Sequence, residues 1–490
     1  MSRMACQAKF SNHFDTIANL FYCQEAILSS QQHFPEVSHR LPPTIQEDQR
    51  MSSLPPGPRS VTLQTIGFAR DPFGALRKYA RRYGDPFTLK LLTGPIVLTA
   101  TPEGIQELLT APPQTFESNG APFLAPLVGE RSVLLLDGAA HKRERALLMP
   151  PFHGSRLKMF GQVIQDIALR RTAAWQPCQA FMMHAFTQAI SLEVIIEAIF
   201  GVRHTERVQV FARIIPAYFQ AFTSLLVYCP PLRRDFGGIG PWRRFKKIAG
   251  RVDQLLDEEI TARRQEGGDG DDILSLLLAA RYEDGSAMTD AELRDELRTL
   301  LLAGHETTAI ALAWAFYWLH RQPDVAQCLQ AELSALGRTP HPNDLVHLPY
   351  LSAVCDEALR LYPVVAAITR RLREPLTLRG YPLPAGVGVG AAIALIHGDP
   401  TLYSDPGRFR PERFLERKYT AFEYLPFGGG TRRCVGAAFA VYEMKIVLGS
   451  ILAQHRFVLA EDGPVKPRPR TFTIGPRGGV QMIYQGPTGR

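Results

Sequence analysis

Apolar positions keep no sustained spacing over the first fifty residues, which are polar with Gln-rich and Ser-rich patches until Met51 opens the different text Ser-Ser-Leu-Pro-Pro-Gly-Pro. Such text has too little patterned apolar surface to offset the entropy of ordering it. We read residues 1–50 as a disordered or non-native N-terminal extension, Met51 as the true start, and 51–490 as one domain. Helical spacing around Phe73 to Arg82 then gives way to Phe87-Thr-Leu-Lys-Leu-Leu, Thr93-Gly94 and Pro95-Ile-Val-Leu-Thr, which predicts a β-hairpin turning at Thr93-Gly94. From about residue 140 to 365 apolar residues recur every three or four positions, so helices dominate, with breaks at the Pro-Gly clusters of 230–241 and the Gly-Gly-Asp-Gly-Asp-Asp run of 267–272. The last third carries short β-like pieces, Pro375 to Gly386 and Thr471 to Tyr484, around a Gly-rich loop at Gly428 to Gly430, and the run Ala437 to Leu452 reads as helix. The expected fold class is mainly α with small β-sheets, built as a single large helical domain without internal repeats.

Two of the predicted helices carry polar residues that helix stability alone does not explain. Thr289 to His320 opens with Thr289-Asp-Ala-Glu292, which has capping-box spacing, and ends before Pro323. It would span about 50 Å at roughly 1.5 Å per residue. Inside it Ala303-Gly-His-Glu306-Thr-Thr308 places glycine, a carboxylate and two threonines in Leu-rich text, where all are poor choices for a helix interior. A second helix carries Glu357-Ala-Leu-Arg360, opposite charges one turn apart, and ends at Tyr362-Pro363. By itself that is a surface pair worth a few tenths of a kcal/mol, roughly. Earlier, His141-Lys-Arg-Glu-Arg145 sets two potential cations on one helix face.

Composition changes this picture mainly by exclusion. The chain has 490 residues, 46% hydrophobic and 21% charged, the profile of an ordinary globular protein. No stretch reaches the ~18 uninterrupted apolar residues of a membrane span, so no transmembrane anchor is expected. The N-terminus also lacks a secretory signal pattern. Seven cysteines without a CxxC pair indicate neither a zinc site nor a disulfide framework. A net charge of +8 admits nucleic acid, an anionic membrane surface or an acidic protein as partner. No helix-turn-helix, zinc or RNA-binding signature accompanies it, so nucleic acid is set aside.

The remaining chemistry centres on Phe427-Gly-Gly-Gly-Thr-Arg-Arg-Cys434-Val-Gly436, a cysteine between a Gly-rich loop and a helix start. Glycines let the backbone pass close to a flat ligand, while amide N–H groups and the positive helix end stabilise a thiolate. The pattern Phe-x-x-Gly-x-Arg-x-Cys-x-Gly resembles the haem-binding signature of the cytochrome P-450 family, and the three patterns above follow that family's order from about residue 54 to the C-terminus. The resemblance implies a cytochrome P-450 fold with haem b between the long central helix and the cysteine-loop helix. It implies Cys434 as axial metal ligand, with Phe427 beside the sulfur and Gly430 and Gly436 shaping the loop. His141, Arg145, Arg370 and Arg432 become haem-propionate partners, and Ala303 stands above the haem. Glu306 and Thr308 become proton relays to bound oxygen, in a helix that opens locally, while Glu357, Arg360 and Arg413 of Pro411-Glu-Arg413-Phe414 form a buried network behind the loop.

The function so implied is monooxygenation: one oxygen atom of O2 inserted into a lipophilic small molecule such as a fatty acid or terpenoid. No flavin or iron–sulfur module is present in the sequence, so electrons are expected from a separate ferredoxin or flavodoxin with its reductase. Lys142, Arg143, Arg417, Lys418, Arg432, Arg433 and Lys445 would form the positive face for it. Substrate contacts are expected from Phe123 to Leu127, Phe219 to Leu226, Val364 to Ile368 and Phe472 to Ile474. The resemblance is to bacterial members, which implies a cytoplasmic monomer. Two alternatives stay open: a haem-thiolate peroxygenase or isomerase without external electrons, and a non-catalytic haem- or lipophile-binding protein.

Overall fold

The computed structural model describes residues 54–488, apart from residues 119–120, 202–204, 224–225, 227–231, 236, 238, 268–269 and 471. The readings made for residues 1–50 and for Met51 lie outside the described residues. A central helix, Asp290–Arg321, runs 32 residues, about 48 Å. Its start is fixed as the sequence predicts: the Thr289 side chain accepts from the Glu292 amide and the Glu292 carboxylate accepts from the Thr289 amide at 2.8 Å. From Thr308 to Tyr317 the helix is buried on every side, with Ile310, Leu312, Trp314 and Phe316 all fully enclosed. A helix apolar all round belongs in a core, and the main hydrophobic cluster forms around this one.

The central helix packs chiefly on Met183–Phe200 and also on Ala437–Gln454 and Pro349–Leu361. The first contact explains Gly304, because a Cβ there would stand 2.2 Å from the Ile195 Cδ1 atom. Thr187 Oγ1 donates to the Ala309 carbonyl at 2.8 Å across the same seam. Met183–Phe200 and Ala437–Gln454 are each long and apolar enough to cross a membrane by composition, although polar residues interrupt both. Both are mostly buried against other helices here, so their apolarity is that of core elements.

A five-stranded sheet forms beside the helical body, in the order Phe87–Leu91, Gly94–Thr99, Gly388–Ala391, Ile368–Leu372, Phe116–Glu117. The first pair is the predicted hairpin, with its turn moved one residue earlier. Leu91 pairs with Gly94, so Leu92 and Thr93 form the turn, and Gly94 takes φ +109°. Gly94–Thr99 runs parallel to Gly388–Ala391, which is antiparallel to Ile368–Leu372. Small hairpins at Leu376–Leu378 with Tyr381–Leu383 and Pro467–Pro469 with Ile474–Pro476 match the β-like pieces of the last third. Gln481–Pro487 joins His455–Leu459 and Ala180–Met182 in a three-stranded sheet.

Candidate active site

The cysteine loop is held by its own backbone and by glycine. Gly428 N–H donates to the Leu425 carbonyl and Cys434 N–H to the Phe427 carbonyl, both at 3.0 Å. Gly428 and Gly430 take φ of +66° and +65°, where a side chain is strained. A Cβ at Gly430 would also stand 2.9 Å from the Leu109 carbonyl oxygen, and one at Gly429 would stand 2.5 Å from Leu109 Cδ1. The loop ends in a short turn, Gly430–Arg432, and the helix Ala437–Gln454 follows Gly436. Phe427 packs half-buried against the main core.

The Cys434 side chain is solvent-accessible, yet the protein around it desolvates the thiol, so the sulfur opens into a recess. Burial pushes the thiol pKa up, while the Gly436 N–H, Arg145 and Arg433 pull it down. Burial wins, and the sulfur becomes a thiolate where a metal ion replaces its proton.

Around that recess stand the four groups assigned to propionates. Arg370, from the strand Ile368–Leu372, donates to the Gly429 carbonyl at 3.1 Å and lies over the Phe116 ring. Burial, and then Arg432, push its pKa down to about 10. Arg145, from the helix Gly138–Leu148, is lowered by burial while Cys434 acts to raise it. Arg432 already has a carboxylate: it meets Asp137 at 2.6 Å and donates to the Leu136 and Leu134 carbonyls. His141 departs from the sequence reading. It is 7% exposed, and burial, Arg432, Arg145 and Arg370 together lower its pKa to about 4, so it is a neutral imidazole rather than a second cation. A carboxylate brought among these groups would relieve that repulsion. An accessible but desolvated thiol, a glycine cradle and a cluster of cations fit a planar, metal-bearing dicarboxylate.

On the central helix the geometry separates the two threonines. Ala303 is exposed, and Thr307 lies one turn further along, its hydroxyl donating to the Ala303 carbonyl at 2.6 Å. Thr308 is 3% exposed and points about 140° away from Ala303 by helix geometry. Thr308, expected as the relay hydroxyl, is thus turned away from the open face, and Thr307 shares that face with Ala303. The helix runs without interruption through this stretch. Glu306 is paired with Arg470 at 3.3 Å, and Arg470 also contacts His184 Nδ1 at 3.2 Å. Sequence reasoning missed Arg470, because Pro467-Arg-Pro-Arg470 gives no local sign of a distant carboxylate. His305 is buried, with Nδ1 2.8 Å from the Leu301 carbonyl and its ring stacked on Phe219 at 5.2 Å.

The network behind the loop comes together as the sequence suggested. Glu357 is fully buried and receives Arg360 at 2.6 and 2.8 Å, Arg413 at 3.0 Å and the Arg410 amide at 2.8 Å. Arg360 and Arg413 spend their remaining donors on the carbonyls of His397, Pro406 and Ser404. Both Glu357 oxygens and every nitrogen of the two guanidinium groups thus have a partner, the condition under which a buried ion pair holds. Of the expected substrate segments, Phe123, Phe219, Val364 and Phe472 are half-buried against the main core, while residues 224–225 lie outside the described residues. Of the expected basic face, Lys142, Lys418 and Arg433 are exposed. Arg143, Arg417 and Lys445 are already bonded to Asp284, Glu423 and the Val346 carbonyl.

Known proteins share this sequence and this fold. The family model described as Cytochrome P450 matches residues 52–481. "Putative cytochrome P450 138" of Mycobacterium tuberculosis (strain ATCC 25618 / H37Rv) is 36% identical over 437 residues, covering 88% of this chain and 96% of the relative. "Putative cytochrome P450 135B1" of the same strain is 36% identical over 440 residues, covering 88% and 91%. Among solved structures, "Retinoic acid bound cyanobacterial CYP120A1" superposes with a TM-score of 0.79 at 24% identity, covering 89% of this chain and all of that one. "Crystal structure of cytochrome P450DA heme domain" gives the same TM-score at 23% identity, covering 88% and 97%. The cysteine signature, the buried Glu357 network and these matches along nearly the whole described chain agree, and the protein belongs to the cytochrome P-450 family of haem-thiolate monooxygenases.

Proposed function

We propose that Cys434 is the axial ligand of a haem b held between its loop and the central helix, and that the enzyme inserts one oxygen atom of O2 into a lipophilic small molecule. The observation that carries this reading is the accessible, desolvated Cys434 sulfur beside Arg145 and Arg433, with Arg145, Arg370 and Arg432 gathered about His141. When bound, the thiolate-ligated haem supplies oxygen activation, with electron density from sulfur favouring O–O cleavage. The chain's own residues do the rest. Arg145, Arg370 and Arg432 hold propionates by charge-assisted hydrogen bonds, and His141 donates as a neutral ring. Gly430, without a side chain, would leave the loop free to lie close to the bound haem. Glu306 and the Thr307 hydroxyl deliver protons to the side of the site lined by Ala303, directly or through water. That pair favours the O2-dependent route over peroxygenase or isomerase chemistry, which has less need of it. Half-buried Phe123, Phe219, Val364 and Phe472 suit an apolar substrate of the fatty acid or terpenoid kind.

Electrons come from a separate ferredoxin- or flavodoxin-type protein in a bacterial cytoplasmic setting, a reading supported by the bacterial source of the relatives. Exposed Lys142, Lys418 and Arg433 supply the docking charge, so reduction slows as salt rises; a rate flat across ionic strength argues against this docking. The central test is spectroscopic. Reduced, carbon-monoxide-treated protein shows a thiolate-type Soret band that Cys434→Ser abolishes. A wild-type protein without that band after haem reconstitution overturns the reading.

A further inference from the structure

A buried histidine behind the cysteine loop has both ring nitrogens committed. His397 is 1% exposed and follows the short helix Ile393–Ile396. Its Nδ1 lies 3.2 Å from the Arg360 carbonyl oxygen and its Nε2 lies 3.0 Å from the Leu425 amide nitrogen. A carbonyl only accepts and an amide N–H only donates. One protonation state serves both partners: neutral, with the proton on Nδ1 and the Nε2 lone pair facing Leu425. The imidazolium form would turn a donor against the Leu425 N–H. Burial, and then Arg360, depress the ring's pKa to about 3, which agrees with the geometry. Arg360 returns the contact through Nη1 to the His397 carbonyl at 2.6 Å. The ring also stacks on Tyr424 at 5.4 Å, and the Tyr424 hydroxyl reaches Asp356 on the Glu357 helix at 3.0 and 3.1 Å.

The Leu425 end of this contact leads to the sulfur. Leu425 offers its carbonyl to Gly428 N–H, and Phe427, one residue before Gly428, offers its carbonyl to Cys434 N–H, both at 3.0 Å. Hydrogen bonds therefore run from the buried Glu357–Arg360 pair through one imidazole to the segment that holds the Cys434 amide. We infer that His397 is a positioning residue for the cysteine loop, joining the Glu357–Arg360 pair to the Leu425 amide and so fixing where the Cys434 sulfur stands. The inference rests on Cys434 being the haem ligand. It assigns the transmission step to a residue outside the carboxylate–guanidinium network itself. A histidine that only filled space would need neither the tautomer nor the Leu425 contact.

The test uses haem-loaded protein carrying His397→Phe, His397→Gln or His397→Asn. Phenylalanine keeps the stacking on Tyr424 and removes both hydrogen bonds. Glutamine is long enough to offer an oxygen to Leu425, whereas asparagine reaches only the Arg360 side. Two readouts are taken: amide hydrogen exchange of the peptide spanning Leu425 to Gly428, and the share of thiolate-type against thiol-type Soret band after reduction with carbon monoxide. An unpaired Leu425 N–H raises exchange about ten- to a hundredfold. His397→Phe and His397→Asn show that rise together with a growing thiol-type band, and His397→Gln restores both toward wild type. Leu333→Ala, a core change on the helix Pro323–Ser334, controls for general destabilisation and moves neither readout. If the phenylalanine variant fails to take up haem, the glutamine and asparagine pair decides. Wild-type exchange and a full thiolate band in His397→Phe, or identical behaviour of the glutamine and asparagine variants, overturns the inference. A wild-type protein lacking the thiolate band removes the ligand assignment of Cys434, while exchange at Leu425 still decides whether His397 fixes the loop.

Discussion

Glu296 holds a proton at neutral pH, and its replacement by glutamine changes how stability depends on pH. The residue lies in the first third of the central helix and is fully buried. One carboxyl oxygen accepts the Val133 N–H at 2.6 Å, and the other has no partner among the described residues. Glu144, 4% exposed on the helix Gly138–Leu148, accepts the Tyr282 hydroxyl at 2.7 Å and likewise leaves its second oxygen unpartnered. Burial first, and Glu144 second, push the Glu296 pKa from 4.5 up to about 9. The folded chain therefore keeps a proton that the unfolded chain releases above about pH 4.5. The stability tied to this group is fully present below that point and drains away as pH climbs towards about 9. At about 1.36 kcal/mol per pH unit the loss by pH 7 is on the order of 3 kcal/mol. Glu296→Gln keeps an oxygen for Val133 and has nothing to titrate. Urea unfolding of haem-loaded wild type and variant, followed by far-ultraviolet circular dichroism from about pH 5.5 to 8.5, should show the variant gaining on wild type by roughly 1 kcal/mol per unit. Parallel pH profiles would refute the claim that Glu296 is a protonated acid.

Other outcomes follow from the same geometry. Thr307→Val lowers the product-forming rate on the order of a hundredfold and diverts electrons to released peroxide, whereas Thr308→Val leaves turnover within about threefold; the measurement is product and peroxide per NADPH consumed. Arg413→Ala strips one guanidinium from the buried Glu357 carboxylate and costs about 3–5 kcal/mol, read as a lower urea midpoint with easier loss of haem. Gly304→Ala drives a methyl group against Ile195 and costs about 1–3 kcal/mol. Combining it with Ile195→Ala gives a double-mutant cycle whose coupling is favourable; simple additivity speaks against a tight helix contact there.

Local chemistry was legible in the sequence and spatial partnership was not. The capping box at Thr289 was visible because its two residues are three apart. The hairpin at Phe87 showed as alternation, with its turn misplaced by one residue because Gly94 sits just after the turn rather than within it. Strand Gly388–Ala391 went unread, since Gly-Val-Gly-Ala carries no alternation and its pairing comes from Gly94–Thr99 far away in the chain. In the site, Cys434, Arg432 and the glycines lie within one ten-residue signature. Which of the adjacent Thr307 and Thr308 shares a face with Ala303 is a matter of helix phase, which exposure shows and the sequence pattern does not. His141 is neutral chiefly because it is buried, with Arg432 and Arg370 from distant segments adding to its own helix's Arg145, and Arg470 and His397 act through contacts with no echo in neighbouring residues.

The parallel pairing of Gly94–Thr99 with Gly388–Ala391 also has a consequence during synthesis. While the ribosome makes the helices between them, the hairpin Phe87–Thr99 waits with one edge unpaired, exposing the backbone of Ile96 and Val97 to other nascent chains. The strand bearing Arg370 is joined to that hairpin through Gly388–Ala391 and is flanked on its other side by Phe116–Glu117. Chaperone demand should therefore peak just before residue 388 emerges.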